Sequence, residues 1–173
     1  MRGKGVNTEP HTARLESYHP QQSIYSNKPM PHLDTPYKYI PLPKYPHMRP
    51  NDILIWQRFM LANPDRFSKV YYDFKVGDGA ETHVDLSECT RADWYDLTRW
   101  GIDVVGENEE AIYIIEVKPS ANAKALGQAL SYATLFLYEH STAAAVIPVV
   151  LTDHEISSTR KVADELGIEL WVA

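Results

Sequence analysis

The sequence predicts an α/β fold in which a mixed central sheet is flanked by helices and preceded by an extended N-terminal arm. Two apolar segments separated by the acidic turn 106–110 predict a β-hairpin. Alternating strand and helix patterns from 111 to 172 predict parallel strands joined by right-handed crossovers. The first fifty residues show neither the period of a helix nor that of a strand. We therefore divide the chain into an arm, residues 1–49, and an α/β domain, residues 50–173.

The arm is rich in proline and tyrosine. Residues 1–50 hold nine of the twelve prolines and five of the eleven tyrosines, a composition that cannot bury a core of its own. A disordered tail and an arm lying on a neighbouring protein both fit this pattern. We expect residues 1 to about 48 to pack little against their own domain and to cross a partner subunit. Because residues 1–50 carry seven Lys/Arg and three Asp/Glu, folding back onto the acidic domain is the competing outcome.

The remaining residues divide into alternating helix and strand patterns. In chain order we expect a helix over 51–63, a strand over 68–76, a helix over 91–100, two strands around 106–110, a helix over 122–139, a strand over 146–151, a helix over 154–166 and a strand over 168–172. Segment 80–90 fits either a short strand or a loop. Alternation predicts that four apolar residues of the first strand share one face: Val70, Tyr72, Phe74 and Val76. Helix 91–100 should bury its largest apolar side chains: Trp94, Leu97 and Trp100.

Composition limits the class of protein. A chain of 173 residues is enough for one domain with an adequate core. One cysteine excludes an intramolecular disulfide and fits a reducing compartment, and the apolar runs are too short to span a membrane. We therefore expect a soluble, intracellular protein. Residues 51–173 carry ten Lys/Arg and twenty Asp/Glu, a charge that disfavours long-range attraction of a polyanion such as DNA.

Charged residues end an otherwise apolar strand, and these residues carry the functional prediction. Side chains alternate along 112–118, so Glu116 and Lys118 share one face of a buried strand. Buried charges need a partner or a task. We place Asp103 near the end of the preceding strand, and the hairpin then brings it close to Glu116. Two carboxylates and a lysine at one end of a sheet suit a Mg²⁺ site for phosphodiester hydrolysis.

Asp103 and the segment Glu116-Val117-Lys118 resemble the motif of the PD-(D/E)xK nuclease superfamily. The following helix adds Gln128 and Tyr132, which are similar to the QxxxY element of the RecB-like branch. Trp56 to Phe59 and Asn63 to Asp65 bear a looser resemblance to phage head-completion nucleases, which also carry an extended arm. The resemblance covers about residues 52–173 and implies a restriction-endonuclease-like core. An ordinary α/β sheet with a buried ion pair is the alternative.

The resemblance implies a Mg²⁺- or Mn²⁺-dependent DNA endonuclease, phage-encoded and docked on a larger assembly, in the host cytoplasm or in a virion. Asp103, Glu116 and the Val117 carbonyl would bind the metal, and Lys118 would orient the attacking water. Gln128 and Tyr132 would contact the DNA backbone or order the metal ligands. The alternative function is a structural component of a phage particle, of the head-completion or neck type. The implied partners are DNA and the protein subunits that the arm contacts.

Two further residues have open roles. The first helix of the superfamily often contributes another acid, and Asp52 is the only acid early in this helix. A helix N-cap is the simpler interpretation of Asp52. RecB-like enzymes usually place a histidine upstream of the motif. His83 is the only such histidine within the domain, and its role stays open.

Overall fold

Five strands form one mixed sheet in the residues that the computed structural model describes, which are 36–82, 84 and 87–173. The elements in chain order are α1 (Pro50–Ala62), β1 (Lys69–Val76), α2 (Glu88–Thr98), β2 (Trp100–Glu107), β3 (Ala111–Ser120), α3 (Ala123–Glu139), β4 (Ala145–His154), α4 (Ser157–Leu166) and β5 (Glu169–Val172). The spatial order is β1-β2-β3-β4-β5, with β1, β2 and β3 antiparallel and β3, β4 and β5 parallel. This arrangement confirms the predicted α/β class, mixed sheet and flanking helices.

Helices cover both faces of the sheet. Trp56 and Phe59 of α1 pack on one face. Phe136 of α3 packs on the other face. Helix α4 lies on the same side as α3, because its Ala163 belongs to the same core cluster as Ala129 of α3. Two covering layers explain why the central strand β3 is apolar on both faces. Along β3, Ile115 points toward α1 and Ile114 toward α3, so the predicted alternation of this strand is confirmed.

The alternation predicted for β1 is wrong. Val70 and Tyr72 face α1, but Phe74 and Val76 face α3. Asp73 lies between the two pairs with a φ of 52°, in the left-handed region that non-glycine residues rarely adopt. A local reversal of this kind changes the face to which the following side chains point. A two-residue period carries no information about such a reversal.

The predicted burial of α2 is also wrong. Helix α2 begins at Glu88 rather than at 91, and none of its residues is buried. Trp94 is 43% exposed and Leu97 is 64% exposed, while Trp100 begins β2 and is 51% exposed. Both faces of the sheet are already covered by α1, α3 and α4, so α2 has no apolar layer left to pack against.

The loop before α2 is described only in part. Val84 lies in a bend and is 65% exposed, which favours the loop interpretation of this segment over a strand. His83 and residues 85 and 86 lie outside the described residues, so the open role of His83 stays open.

The described part of the predicted arm packs against its own domain. Tyr37 forms an antiparallel bridge with Val70 of β1. Tyr45 is 3% exposed and Met48 is 8% exposed, and both belong to the core beneath α1. The expectation that residues 1 to about 48 pack little against the domain is therefore wrong for residues 36–48. The prediction for residues 1–35 falls outside the described residues.

Within the described part of the chain, no helix is both long enough and apolar enough to cross a bilayer.

Candidate functional site

A gap between β2 and β3 forms the site. The backbone ladder of these strands covers Val104–Glu107 and Ile112–Ile115. Just beyond the last backbone pair, Val104 and Ile115, Asp103 Oδ2 accepts a hydrogen bond from the backbone N–H of Val117 at 2.9 Å. A side chain thus replaces a ladder bond, and β2 continues along β1 while β3 continues along β4. Asp103 therefore lies inside β2, not near its end as predicted, but the hairpin does bring it to Glu116.

The Lys118 ammonium group lies among three oxygen atoms. Its Nζ is 3.2 Å from Asp103 Oδ2 and 2.7 Å from Glu116 Oε1. It also donates a hydrogen bond to the Val117 carbonyl at 3.1 Å. These are the three groups that the sequence resemblance implies as metal ligands. The structure thus brings all of them to a single cationic nitrogen.

Burial and charge crowding act on this cluster. Glu116 is 1% exposed, and this burial, together with the Asp103 carboxylate, raises the pKa of Glu116 to about 7, although Lys118 opposes the shift. Burial alone would lower the pKa of Lys118, but the two carboxylates raise it above its usual value. For Glu116, burial is the larger of the two effects that raise the pKa, because it disfavours the charged form of the carboxyl group.

Gln128 and Tyr132 face the cluster from α3. They lie four residues apart, one turn along the helix, and Gln128 Nε2 donates a hydrogen bond to the Tyr132 hydroxyl at 2.9 Å. Burial raises the pKa of Tyr132, with contributions from the Glu116 and Asp103 charges. The Gln128 Oε1 atom is buried and accepts no hydrogen bond within the described residues. It is therefore free to accept a hydrogen bond from a bound molecule.

The cluster opens into a polar cleft of about 380 Å³. Helix α1 borders the cleft with residues near its N-terminus, and α3 does so with the residues around its own N-cap, Asn122. Helix N-termini favour anions, because their backbone N–H groups and dipoles point outward. The cationic side chains that line the cleft are Arg49, Lys75, Lys118 and Lys124, and His47 also lines it.

Asp52 is a third acid of the cleft. Arg49 is the N-cap of α1, so the N-cap interpretation of Asp52 is wrong. Asp52 instead lies in the first turn, is 4% exposed and accepts a hydrogen bond from the backbone of Arg49. Burial raises the pKa of Asp52, while Lys118 and Asp103 act on it electrostatically with opposite signs.

Asp73 was missed by sequence reasoning. It occupies the left-handed conformation described above, 2.9 Å from His47 Nε2 and 2.8 Å from Lys75 Nζ. Gly101 on β2 leaves room for this group, because a Cβ there would lie 2.6 Å from Asp73 Oδ1. An aspartate inside a strand is unusual, and that was the one available signal. Non-glycine residues in strained conformations cluster at functional sites.

The carboxylates of the cluster lie close enough together to be compared with a divalent-cation site. The two distances from Lys118 Nζ put the Asp103 and Glu116 oxygens at most about 6 Å apart. One ion with oxygen ligands at about 2 Å spans about 4 Å, so the two oxygens bind the same ion only when they lie at the short end of that range. Apart from the contact with Lys118, Glu116 Oε1 accepts no hydrogen bond from the described residues. Those residues hold no cluster of three or more His, Cys, Asp or Glu side chains suited to a metal. Mg²⁺ needs only one or two carboxylates and completes its shell with carbonyl oxygen, water and phosphate.

No protein-family model matches the chain, and no curated protein matches it. The solved structures include a crystal structure of a protein of unknown function, AF1548, that is 22% identical with a TM-score of 0.39. The match covers 68% of this chain and 56% of that one, so this chain spans little more than half of that protein's length. At this TM-score the similarity supports no statement about family or function.

Proposed function

We propose that this protein is a Mg²⁺- or Mn²⁺-dependent DNA endonuclease with a PD-(D/E)xK core, phage-encoded and docked on a larger assembly. One observation carries the proposal: two carboxylates and the Val117 carbonyl converge on one cationic nitrogen, in a gap between strands that opens into a cleft. A buried ion pair in an ordinary sheet explains the charges but not the open cleft. Buried pairs also add little net stability, so stability alone is a weak reason for them.

Each residue of the cluster has a role in hydrolysis. Asp103, Glu116 and the Val117 carbonyl would hold the metal, which when bound supplies a Lewis acid and a water of lowered pKa. Lys118 is the one ammonium group of the cluster, and it orients the attacking water and stabilises the negative charge that develops on the phosphate. Gln128 lines the cleft and fixes the Tyr132 hydroxyl through the hydrogen bond that it donates.

The test is cleavage of supercoiled plasmid with Mg²⁺ or Mn²⁺ by the full chain. We expect Asp103→Asn, Glu116→Gln and Lys118→Met each to lower the cleavage rate by at least about a hundredfold. These substitutions remove charge while conserving size, and the amide oxygen that Asp103→Asn introduces can still accept the hydrogen bond from the Val117 N–H. A wild-type protein that is inert on duplex, branched and single-stranded DNA with Mn²⁺ contradicts the proposal.

Matched controls come from α4. Lys161→Met and Glu165→Gln make the same chemical changes at exposed positions that do not line the cleft. Both should cleave as the wild type does. Thermal unfolding of all five variants separates loss of chemistry from loss of fold.

A structural component of a phage particle is the second candidate. Residues 51–173 carry twice as many acidic as basic residues, which repels free DNA and favours a protein that works within an assembly. An inactive wild type that nevertheless enters particles would favour this candidate. An active enzyme that also enters particles would unite the two.

A further inference from the structure

Trp100 exposes an aromatic ring at the edge of the cleft. Its side chain is 51% exposed, and its ring centroid lies 6.0 Å from that of Tyr132 at an interplanar angle of 72°. Tyr132 and Gly101, the next residue of the chain, both line the cleft. Trp100 therefore presents an exposed aromatic ring beside the polar cleft, where a planar apolar group can pack on it.

Free positive charge lies on both sides of the same cleft. Arg49 precedes α1 and Lys124 lies in the first turn of α3. Neither forms an ion pair within 4.0 Å among the described residues, whereas Lys75 and Lys118 each do. The Arg49 charge also acts on Asp52, which forms no such ion pair among those residues. Two unpaired cations beside two helix N-termini complement the phosphates of a strand that crosses the cleft.

We propose that the cleft takes a single nucleic-acid strand and that Trp100 is the surface on which one of its bases stacks. This inference rests on the proposed function and names its substrate class. In a duplex the faces of the bases are covered by their neighbours, so a ring at the edge of the cleft reaches a base only in a strand that is unpaired or opened. Stacking also suits an acidic domain, because it adds affinity that does not depend on net charge.

Binding without metal tests the inference, since no cleavage then occurs. The full chain is titrated, in a chelating buffer, into a fluorescein-labelled oligothymidylate of about 15 nucleotides and into a duplex of the same length. Fluorescence anisotropy gives the Kd of each. We expect tighter binding of the single strand, and a Kd that rises about tenfold in Trp100→Ala. Trp100→Phe keeps a stacking ring and should retain most of the affinity.

Trp94→Ala is the matched control. Trp94 is also an exposed tryptophan, at 43%, but it lies on α2, whereas Trp100 adjoins Gly101 and Tyr132 of the cleft. Its loss should leave the Kd unchanged, and the melting temperatures of both alanine variants should match that of the wild type. Equal affinities of Trp100→Ala and Trp94→Ala, a duplex bound as tightly as the single strand, or no binding of the single strand would each overturn the inference.

The metal-dependent plasmid assay reports on the proposed function separately. If the wild type cleaves plasmid but Trp100→Ala binds the single strand as tightly as the wild type does, the proposed nuclease function is supported and the single-strand inference is wrong. If single-strand binding depends on Trp100 but the wild type does not cleave, the binding inference is supported and the proposed nuclease function is contradicted.

Discussion

At the scale of single residues, polar groups in this chain are buried in two ways. Glu116 is buried with a cationic partner beside an open cleft. His140 is buried without one: it is 5% exposed, and both ring nitrogens have no hydrogen-bond partner in the described part of the chain. Its ring packs against Phe136 and Phe74, with centroids 4.6 Å and 5.4 Å away. His140 is therefore a costly structural residue, and the cleft does not use it.

The first residue-scale prediction concerns pH. Burial lowers the pKa of His140 below its usual 6.5, with opposing effects from Glu139 and Arg99. Between that lowered value and 6.5 the unfolded chain binds a proton that the folded chain does not, so the free energy of unfolding falls as the pH falls through this range. His140→Leu should remove this contribution. The free energy of unfolding of the variant minus that of the wild type, measured by urea unfolding, should therefore become more positive from pH 7.5 to pH 5.5.

The control removes an exposed histidine instead. His154→Leu, at the exposed end of β4, makes the same substitution outside the core and is the reference against which the pH dependence of His140→Leu is compared. A His140→Leu variant whose stability runs parallel to that of the wild type over this range would contradict the prediction.

At the scale of elements, the segment before α1 completes the core. Tyr37 and Val70 exchange two backbone hydrogen bonds, of 2.8 Å and 3.3 Å. The Tyr45 hydroxyl accepts a hydrogen bond from the Leu42 N–H at 2.9 Å, and its ring meets that of Tyr72 edge-on at 5.0 Å. Residues 36–48 thus extend the edge of the sheet and fill the space beneath α1.

Truncation tests this element. Removal of residues 1–48 should lower the melting temperature by about 10 °C or more, because burial of side chains such as Tyr45 and Met48 stabilises by roughly 1.5–3 kcal/mol each. Removal of residues 1–35 is the matched control, since it leaves every contact named above in place. Equal melting temperatures for the two truncated proteins would show that segment 36–48 contributes nothing to the fold. Calorimetry at one protein concentration measures both.

At the scale of the whole molecule, charge is distributed unevenly. The chain carries a net charge of −6, and the cleft is lined by four Asp/Glu and four Lys/Arg, of which Arg49 and Lys124 lie beside the two helix N-termini. An acidic surface repels a polyanion at a distance, so attraction is confined to the cleft and falls off within a Debye length. Binding should therefore be weak, and because few phosphates are contacted its salt dependence should be shallow.

Salt titration measures that contact number. Arg49→Ala and Lys124→Ala should each reduce the slope of log Kd against log salt concentration for the single strand by about 0.7, the value for one released counterion. Lys161→Ala, which removes an exposed lysine of α4 outside the cleft, should leave the slope unchanged. If Arg49→Ala and Lys124→Ala keep the same slope as Lys161→Ala and the wild type, Arg49 and Lys124 are not phosphate contacts.

Local sequence patterns were sufficient to predict the order of elements, the two-sided burial of β3 and the approach of Asp103 to Glu116. These features follow from local periodicity, turn composition and a short hairpin, and each lies within a few tens of residues of chain. Gln128 and Tyr132 share a helical face for the same local reason. Element boundaries agree to within about three residues, because caps and glycines mark them, as Gly167 does after α4 with a φ of 67°.

Which apolar residues are buried, and against which element, was decided by the tertiary structure. Trp94 and Trp100 have the composition of a core but stay exposed, because other helices had already covered the sheet. The tyrosines of the N-terminal segment have the composition of an interface, and Tyr45 is buried in its own domain. Asp73 joined the cleft through one left-handed residue, which no periodic pattern encodes. Burial depends on competition among all elements for a limited apolar surface, and that competition cannot be read from any one segment.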